Sequence, residues 1–477
     1  MRGSAMGFLQ EEPVLTPNLD RFASQGLVLE QACATYPTCS PYRGILMTGK
    51  YPFSNRVIAN CKSSSTVYGV ELQEHDRCWS DVLHDNGYSL GYIGKWHLDA
   101  PREPYIDCAN NKGAQKWNEW CPPHRRHGFD FWYSYGTYDD HTRPMYWSTH
   151  AGRDEFHFVD QWEPEHDADQ AIAYIRNEGG VYRDHNRPFA LVVSMNPPHS
   201  PYDRVPSRYV EPYMTLNLEE FCARPNVPPA GTKWGDYYRT WIRNYLAMIT
   251  GVDEQFGRIL NALDDAELAD NTIVLFTSDH GNCLGIHSKG SKNTYYEEAV
   301  RVPFIIRWPG QIPQRHDDLL FAAPDIYPTL LDLMGFGADI PNAVEGTSYA
   351  RLFQGESQAR PVSQLCMRVS APDLGTGWRA VRTHTHTLVV IRESSTEKRK
   401  PSPTRRAATW PNMGFDWIKR ALPDTSPKAT EQVRLYDNKK DPYQLKECAS
   451  GHPAVVAQLT EELHRWLSQT KDPWLKP

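Results

Sequence analysis

The feature that most constrains the fold is a series of short apolar runs that alternate with helical patterns. The apolar runs cover residues 88–93, 189–194, 272–277 and 304–306. Runs of this length are typical of strands buried on both faces of a parallel sheet. The helical patterns cover residues 20–25, 79–86, 166–177 and 237–264. Strands that alternate with helices predict an α/β domain with a mainly parallel central sheet flanked by helices.

The pattern changes after residue 347. Strand-like runs at 362–367, 380–382, 388–391 and 433–436 follow one another without long helices between them, and an amphipathic helix is predicted at 453–468. Antiparallel strands need no crossover helix. We therefore predict a catalytic α/β domain over residues 1–347 and a smaller α+β subdomain with an antiparallel sheet over residues 348–477. The basic stretch 397–406 is interpreted as a surface loop, with a nuclear-localisation patch as the alternative.

Composition excludes several classes of protein. The 58 acidic residues outnumber the 51 basic ones, and a net charge of −7 argues against a nucleic-acid binder. A membrane span is excluded because no run of about 18 apolar residues occurs. The N-terminal residues lack the apolar segment of a secretion signal, so a cytoplasmic location is expected, with a secretion signal on an upstream segment as the alternative. The ten cysteines include no C-x-x-C pair and are too sparse for a disulfide scaffold.

One motif places a cysteine at the start of a helix. Pro41 suits the first turn of a helix and Gly49 suits its end, so Cys39 is predicted at the helix N-terminus. The free N–H groups there favour an anion and would acidify a thiol. Arg43, one turn further on, offers a fork for an oxyanion. The alternative is a buried, inert cysteine. Cysteine phosphatases require five residues between the cysteine and the arginine. Only three residues separate Cys39 from Arg43, so this class of enzyme is excluded.

Further polar residues follow predicted strands. Lys95 and His97 come after residues 88–93, His199 follows residues 189–194, and Asp279 and His280 follow residues 272–277. Open α/β sheets bind ligands at the carboxyl ends of their strands. A carboxylate at the tip of a buried strand is costly unless it is paired or binds a metal. Each motif has a structural alternative: a packed histidine for His97, a rigid turn for the segment with His199, and a turn with a capping carboxylate for Asp279.

The order of these motifs resembles the type I sulfatases of the alkaline-phosphatase superfamily. The resemblance covers nearly the whole chain, and its Cys-x-Pro-x-Arg element is highly specific. The matching phrases, in order, are T-P-N-L-D-R-F-A, C-S-P-Y-R-G-I-L-M-T-G, G-K-W-H-L, P-P-H-S-P-Y, T-S-D-H-G, Y-E-E-A-V-R-V-P and L-Y-D-N-K-K-D-P. The resemblance implies an alkaline-phosphatase-like fold and the hydrolysis of a sulfate ester.

The resemblance also implies a covalent modification of the nucleophile. Cys39 would be oxidised to formylglycine by a formylglycine-generating enzyme. One hydroxyl of the hydrated aldehyde, a gem-diol, would attack sulfur and expel an alcohol, and the second would release sulfate. The roles implied for the other residues are sulfate binding by Lys95 and Lys292, support of the formylglycine by Arg43, proton removal from the diol by His97 and protonation of the leaving oxygen by His199.

A divalent metal ion, calcium by resemblance, would be bound by Asp279, His280 and the group derived from Cys39. Oxygen ligands suit calcium. His280 stands where many members have Asn, which makes manganese or another softer ion an alternative.

Two features depart from the family pattern. Tyr42 stands where many sulfatases have Ser or Ala, although the Cys-x-Pro-x-Arg element is intact. Sulfatases also carry a first strand that ends in two acidic metal ligands, well before the T-P-N-L-D-R phrase. No such strand is recognised here, and Glu11 and Glu12 come too late in the pattern. We expect either a chain whose first strand lies upstream or a homologue with too few metal ligands.

The leading hypothesis is a sulfuric-ester hydrolase that acts on an aryl, alkyl or carbohydrate sulfate. A phosphonate or phosphodiester hydrolase of the same superfamily and a non-catalytic homologue are the alternatives. Aromatic residues within 117–147 and 410–417 are interpreted either as a wall that stacks on a sugar or aryl group or as packing.

Overall fold

The structure is a computed structural model that describes residues 1–370, 373–393 and 430–475. The predicted surface loop 397–406 and the aromatic segment 410–417 lie outside the described residues.

In the described residues up to 353, groups of α-helices and groups of β-strands follow one another along the chain. The helices are α1 Pro17–Ala23, α2 Cys39–Thr48, α3 Pro52–Asn55, α4 Ser63–Thr66, α5 Trp79–Asp85, α6 Glu163–Arg176, α7 Ser207–Met214, α8 Lys233–Asp265, α9 Glu297–Val300, α10 Ile326–Leu333, α11 Ala350–Phe353 and α12 Pro453–Gln469. The strands are β1 Leu27–Leu29, β2 Ser89–Lys95, β3 Phe131–Tyr135, β4 Met145–Tyr146, β5 His157–Phe158, β6 Phe189–Ser194, β7 Val274–Thr277, β8 Phe304–Arg307, β9 Arg315–Asp317, β10 Gln364–Ser370, β11 Asp373–Arg382, β12 His386–Glu393 and β13 Thr430–Asp437.

A three-stranded parallel sheet carries one half of the site. Its order is β3-β2-β6, with Ile93 of β2 opposite Tyr133 of β3 and Val193 of β6. Helix α6 packs on β2 and β6. The predicted strands at 88–93 and 189–194 are confirmed, as are the helices predicted around them. Parallel pairing brings the carboxyl ends of β2 and β6, and hence Lys95 and Asn196, to one edge.

A four-stranded mixed sheet carries the other half. Its order is β7-β8-β1-β9, and only the β1–β9 pair is parallel. The prediction of parallel pairing therefore does not extend to β7 and β8. The connection between these two strands, residues 278–303, contains the 3₁₀ turn Ile286–Ser288 and the short helix α9, and it returns the chain antiparallel to β7.

A cleft of about 750 Å³ separates β6 from β7. Within the described ranges, each of these strands pairs with a neighbour on one side only. Their apolar side chains, Leu191 and Phe276 among them, are therefore half-buried rather than buried. Phe256 from α8 and Met334 line the cleft from opposite sides, and its polar end reaches the residues that follow both strands.

The C-terminal residues form the predicted antiparallel sheet, in the order β10-β11-β12-β13. Helix α12 packs against β11 and β12. Leu365 and Leu388 of this sheet share one apolar core with Leu29 and Phe304 of the mixed sheet. The C-terminal sheet is thus held rigidly beside the site through continuous apolar packing.

In the part of the chain that the structure describes, no helix combines the length and the apolar character that a bilayer crossing requires.

Candidate active site

Cys39 is the first residue of α2, as predicted. Thr38 precedes it in an extended conformation, Pro41 lies in the first turn, and Gly49 ends the helix with a φ of 63°. Only 2% of Cys39 is exposed. The Ser40 N–H donates to Asn60, the Tyr42 N–H donates to the Thr38 carbonyl, and Pro41 has no N–H, so the first turn does not offer the free N–H groups that the sequence predicted.

Three basic side chains surround the Cys39 sulfur. Lys292 Nζ lies 2.9 Å from Sγ, His280 Nε2 lies 3.4 Å from it, and Lys95 Nζ lies 3.8 Å from it. Burial favours the neutral thiol, but the charges of Lys292 and Lys95 outweigh it and hold the pKa of Cys39 well below its usual value. The same cations would stabilise the oxygens of a bound anion.

Arg43 joins the two sheets at their carboxyl ends. Its Nη1 donates to the Lys95 carbonyl at 2.6 Å and to Ser194 Oγ at 2.8 Å. Its Nη2 lies 3.4 Å from Asp279 Oδ2. Burial opposes the charge of Arg43, but Asp279 keeps its pKa above the usual value. The planar guanidinium contacts three acceptors at once and so fixes the ends of β2 and β6 and the side chain of Asp279 relative to Cys39. A lysine ammonium does not offer this planar set of donors.

Asp279 and His280 offer the donors of a metal site. An oxygen of Asp279, a nitrogen of His280 and Cys39 Sγ all lie within 4.8 Å of one another. His280 Nδ1 donates to the Gly281 carbonyl at 2.8 Å, and its Nε2 lies 3.0 Å from Lys292 Nζ, 3.4 Å from Cys39 Sγ and 3.5 Å from Asp279 Oδ1. Burial disfavours the Asp279 carboxylate, but His280 and Arg43 hold its pKa below the usual value. A carboxylate oxygen and a neutral imidazole nitrogen fit a divalent cation.

His97 lies beside the nucleophile in a strained conformation. Its φ is 54°, and its Nε2 donates to the Cys61 carbonyl at 3.1 Å. Its Nδ1 is buried and has no hydrogen-bond partner among the described residues. Burial lowers the pKa of His97, and interaction with Cys39 partly offsets this shift. A buried, neutral imidazole with a free lone pair is suited to accept a proton.

His199 lies at the open side of the site. Its side chain is 24% exposed, and its Nδ1 donates to the Ser200 carbonyl at 2.7 Å and lies 3.3 Å from Asp139 Oδ1. These contacts leave Nε2 available to a ligand. Burial and the charges of Lys292 and Lys95 lower the pKa of His199, and Asp139 raises it in part. Asp139 could not be named from the sequence, because its position within the aromatic-rich stretch 117–147 carries no motif.

The residues that hold Lys95 could not be named from the sequence either. Asn196 Oδ1 accepts a hydrogen bond from Lys95 Nζ at 2.9 Å, and Asn196 Nδ2 donates to the Tyr138 carbonyl at 2.9 Å. The Asn196 backbone N–H donates to Glu163, which also accepts a hydrogen bond from His141 Nδ1 at 2.9 Å. Asn196 follows the predicted strand 189–194, in the same phrase as His199. This position at a strand end was the one sequence feature that could have indicated its role.

Three charged residues that follow Lys292 in the chain lie in ion pairs. Glu298 lies 2.7 Å from Arg224, Glu297 lies 2.6 Å from Arg382, and Arg301 lies 2.6 Å from Glu11. These pairs tie the segment after Lys292 to its neighbours, which is a structural role.

The aromatic stretch 117–147 serves mainly as packing. Trp132 and Trp147 are about 1% exposed and belong to apolar clusters. Trp117 is half-buried, with its ring centre 6.4 Å from that of His97 and with Lys62 over its face at 5.3 Å. Only Trp117 among these three tryptophans borders the site.

The structure thus brings together all eight predicted site residues, and their roles remain predictions. The residues are Cys39, Arg43, Lys95, His97, His199, Asp279, His280 and Lys292.

Comparison with known proteins identifies the family. The sulfatase family model matches residues 1–336, and the model for the C-terminal part of N-sulphoglucosamine sulphohydrolase matches residues 285–390. An endo-4-O-sulfatase of Bacteroides thetaiotaomicron is 34% identical, with 99% of this chain and 91% of the relative covered. An ulvan-active sulfatase of Formosa agariphila is 30% identical, with 81% and 70% covered.

A solved structure agrees with the family model. The crystal structure of yidJ from Bacteroides fragilis has a TM-score of 0.89 and 45% identity, and the match covers 99% of this chain and 94% of that one. The predicted alkaline-phosphatase-like α/β fold and the predicted hydrolysis of a sulfate ester are confirmed. Sulfatases use a divalent metal ion and a formylglycine, so both predicted cofactor classes follow from membership. The chain belongs to the sulfatase family.

Proposed function

We propose that this sulfatase cleaves its ester with a nucleophile formed from Cys39. The observation that carries the proposal is the cluster of Lys292, Lys95 and His280 within 3.8 Å of Cys39 Sγ at the start of α2. Cys39, Pro41 and Arg43 are intact as substrates for a formylglycine-generating enzyme. After conversion, the hydrated aldehyde at position 39 would supply the oxygen that attacks sulfur.

Lys95 and Lys292 bind the sulfate oxygens in this proposal. Both ammonium groups point at the position of the nucleophile, and Asn196 holds Lys95 in place. Negative charge grows on the sulfate oxygens and on the leaving oxygen in the transition state. Cations that are fixed before the reaction stabilise that charge without reorganising.

The two histidines move protons at opposite sides of the nucleophile. His97 is buried beside Cys39 with a free Nδ1, which suits it to accept a proton from the nucleophilic group. His199 lies at the open side with Nε2 free, which suits it to protonate the leaving oxygen. Asp139 orients the His199 ring through Nδ1, so we assign it as a positioning residue.

The metal is proposed to be calcium, held by an Asp279 oxygen and His280 Nε2. A divalent cation there would polarise the sulfate and the nucleophilic oxygen. The carboxylate supports calcium, whereas the imidazole supports a softer ion. Metal analysis of the purified protein, with reactivation by calcium or manganese after chelation, distinguishes the two. Reactivation by manganese alone would overturn the calcium assignment.

A carbohydrate sulfate is the proposed substrate class. The relatives named as endo-4-O-sulfatase and ulvan-active sulfatase support it. The rim of the site is polar, with the half-buried Asp139 and His199 and the exposed Asn293, which suits a hydroxyl-rich leaving group. Aryl and alkyl sulfates are the alternatives that the assay compares.

The test measures sulfate release by chain that has been produced together with a formylglycine-generating enzyme. A panel of carbohydrate, aryl and alkyl sulfates and an aryl phosphodiester is compared with Cys39→Ala and with Cys121→Ala, a matched control at a buried cysteine away from the site. We expect C39A to lose activity and C121A to retain it. Equal activity of C39A and the unchanged chain, or faster turnover of the phosphodiester, would overturn the proposal.

A further inference from the structure

Two buried cysteines meet between the mixed sheet and the C-terminal sheet. Cys33 lies on the segment between β1 and α2, and Cys366 lies on β10. Their sulfurs are 3.0 Å apart, and each residue is 2% exposed. A disulfide bond is about 2.0 Å long, so a movement of about 1 Å would join them. The two residues are separated by 333 positions.

The backbone around both cysteines is held in this arrangement. The Cys33 N–H donates to the Phe321 carbonyl at 2.9 Å, and the Met367 N–H, next to Cys366, donates to the Thr35 carbonyl at 2.8 Å. Cys366 lies opposite Ala380 in the β10–β11 ladder. Small shifts of the side chains alone would therefore bring the sulfurs to bonding distance, with no rearrangement of the sheets.

The surroundings favour a reactive thiolate at Cys33. The Thr35 N–H donates to Cys33 Sγ at 3.3 Å. The hydrogen bond from Cys366 lowers the pKa of Cys33, and the buried charge of Arg382 adds to this effect against the opposing effect of burial. Apolar and aromatic neighbours such as Val300 and Trp378 complete the surroundings. The Glu297 carboxylate, which is paired with Arg382, opposes the lowering of the pKa in part. A thiolate beside a cation is the reactive form in thiol–disulfide exchange.

We propose that Cys33 and Cys366 form a disulfide that ties the segment leading to Cys39 to the C-terminal sheet. A small disulfide such as oxidised glutathione is the oxidant. The Cys33 thiolate attacks it, one glutathione thiol leaves, and a mixed disulfide forms at Cys33. The Cys366 sulfur then attacks the Cys33 sulfur and expels the second glutathione thiol. Two protein thiols are oxidised, one disulfide of glutathione is reduced, and two protons pass to the two leaving thiolates.

The bond would reinforce contacts that already hold the nucleophile. Tyr36 OH accepts a hydrogen bond from the Val369 N–H at 3.0 Å, and Thr38 contacts Asn293, the neighbour of Lys292. The segment between Cys33 and Cys39 thus lies between β10 and the loop that carries Lys292. A covalent link at its start restricts the separation of the two sheets when the protein unfolds.

The test maps the cysteines of the full chain after equilibration with oxidised glutathione. The protein is denatured, alkylated and digested without reductant. We expect one linked peptide pair that contains Cys33 and Cys366 and has lost two hydrogens. Cys121 and Cys283 serve as internal controls, because both are buried free cysteines. We expect both to be alkylated. Alkylation of both Cys33 and Cys366 at every glutathione ratio would overturn the proposal.

Thermal unfolding gives an independent measurement. We expect reductant to lower the melting temperature of the oxidised protein and of Cys121→Ala, but to leave Cys33→Ala and Cys366→Ala unchanged. The melting temperature of the Cys33→Ala/Cys366→Ala double variant should match that of either single variant, because the disulfide is absent from all three. If the variants do not fold, the mapping of the unchanged chain still decides. Equal sensitivity of all variants to reductant would contradict the assignment.

Discussion

Replacement of Asn196 by alanine tests whether Lys95 must be held in place. Asn196 Oδ1 accepts a hydrogen bond from the Lys95 ammonium at 2.9 Å, and both residues are buried. A hydrogen bond to a charged group contributes about 1.5–3 kcal/mol. If this energy is expressed in the transition state, kcat/KM falls about 10- to 150-fold, since each 1.36 kcal/mol is a factor of ten.

The assay is sulfate release at substrate concentrations well below KM, for Asn196→Ala and for Asn111→Ala. Asn111 is a matched control because it is also buried and donates to two backbone carbonyls away from the site. We expect N111A to lower the melting temperature with little effect on kcat/KM. The loss in N196A should exceed any loss in N111A.

A double-mutant cycle separates positioning from packing. In a Lys95→Ala background, Asn196→Ala should cause little further loss, because the side chain that Asn196 holds is absent. Full additivity of the two variants, or an unchanged kcat/KM in N196A, would refute the reasoning.

Three further predictions concern pH, stability and the metal site. Burial lowers the pKa of His199, so kcat should fall as the pH rises through a value below about 6.5. Asp139→Asn removes a group that raises this pKa, so the basic limb of the kcat–pH profile should move to lower pH. An unmoved limb would count against the pairing of Asp139 with His199. Asp472→Asn leaves the buried Arg379 guanidinium without its 2.5 Å partner and should lower the free energy of unfolding by about 3–5 kcal/mol in denaturant titration, with a smaller loss when both residues become apolar. Gly281→Ala would place a Cβ 2.0 Å from a backbone oxygen, so calorimetry should show weaker divalent metal binding, and unchanged affinity would contradict the placement of the metal donors.

Much of the architecture could be predicted from local sequence. The apolar runs, the helix that starts at Cys39 and the antiparallel C-terminal sheet follow from periodicity, turn residues and helix signals that act over a few positions. Seven of the eight site residues could be named from local signals, because Cys39 begins a helix, Arg43 lies one turn further on, and the other five follow predicted strands. Lys292 could be named only from the resemblance to sulfatases. The antiparallel pairing of β7 with β8 could not be read from apolar runs, since such runs do not encode strand direction.

The sequence by itself determined which segments are buried and which chemical groups stand at their ends. Tertiary structure alone decided the partners of those groups. Asn196 reaches Lys95 across 101 positions, Asp139 reaches His199 across 60, and Cys33 meets Cys366 across 333. The physical reason is that a buried polar group must find a partner within about 3 Å, and only the packed arrangement of the sheets fixes which side chain lies there.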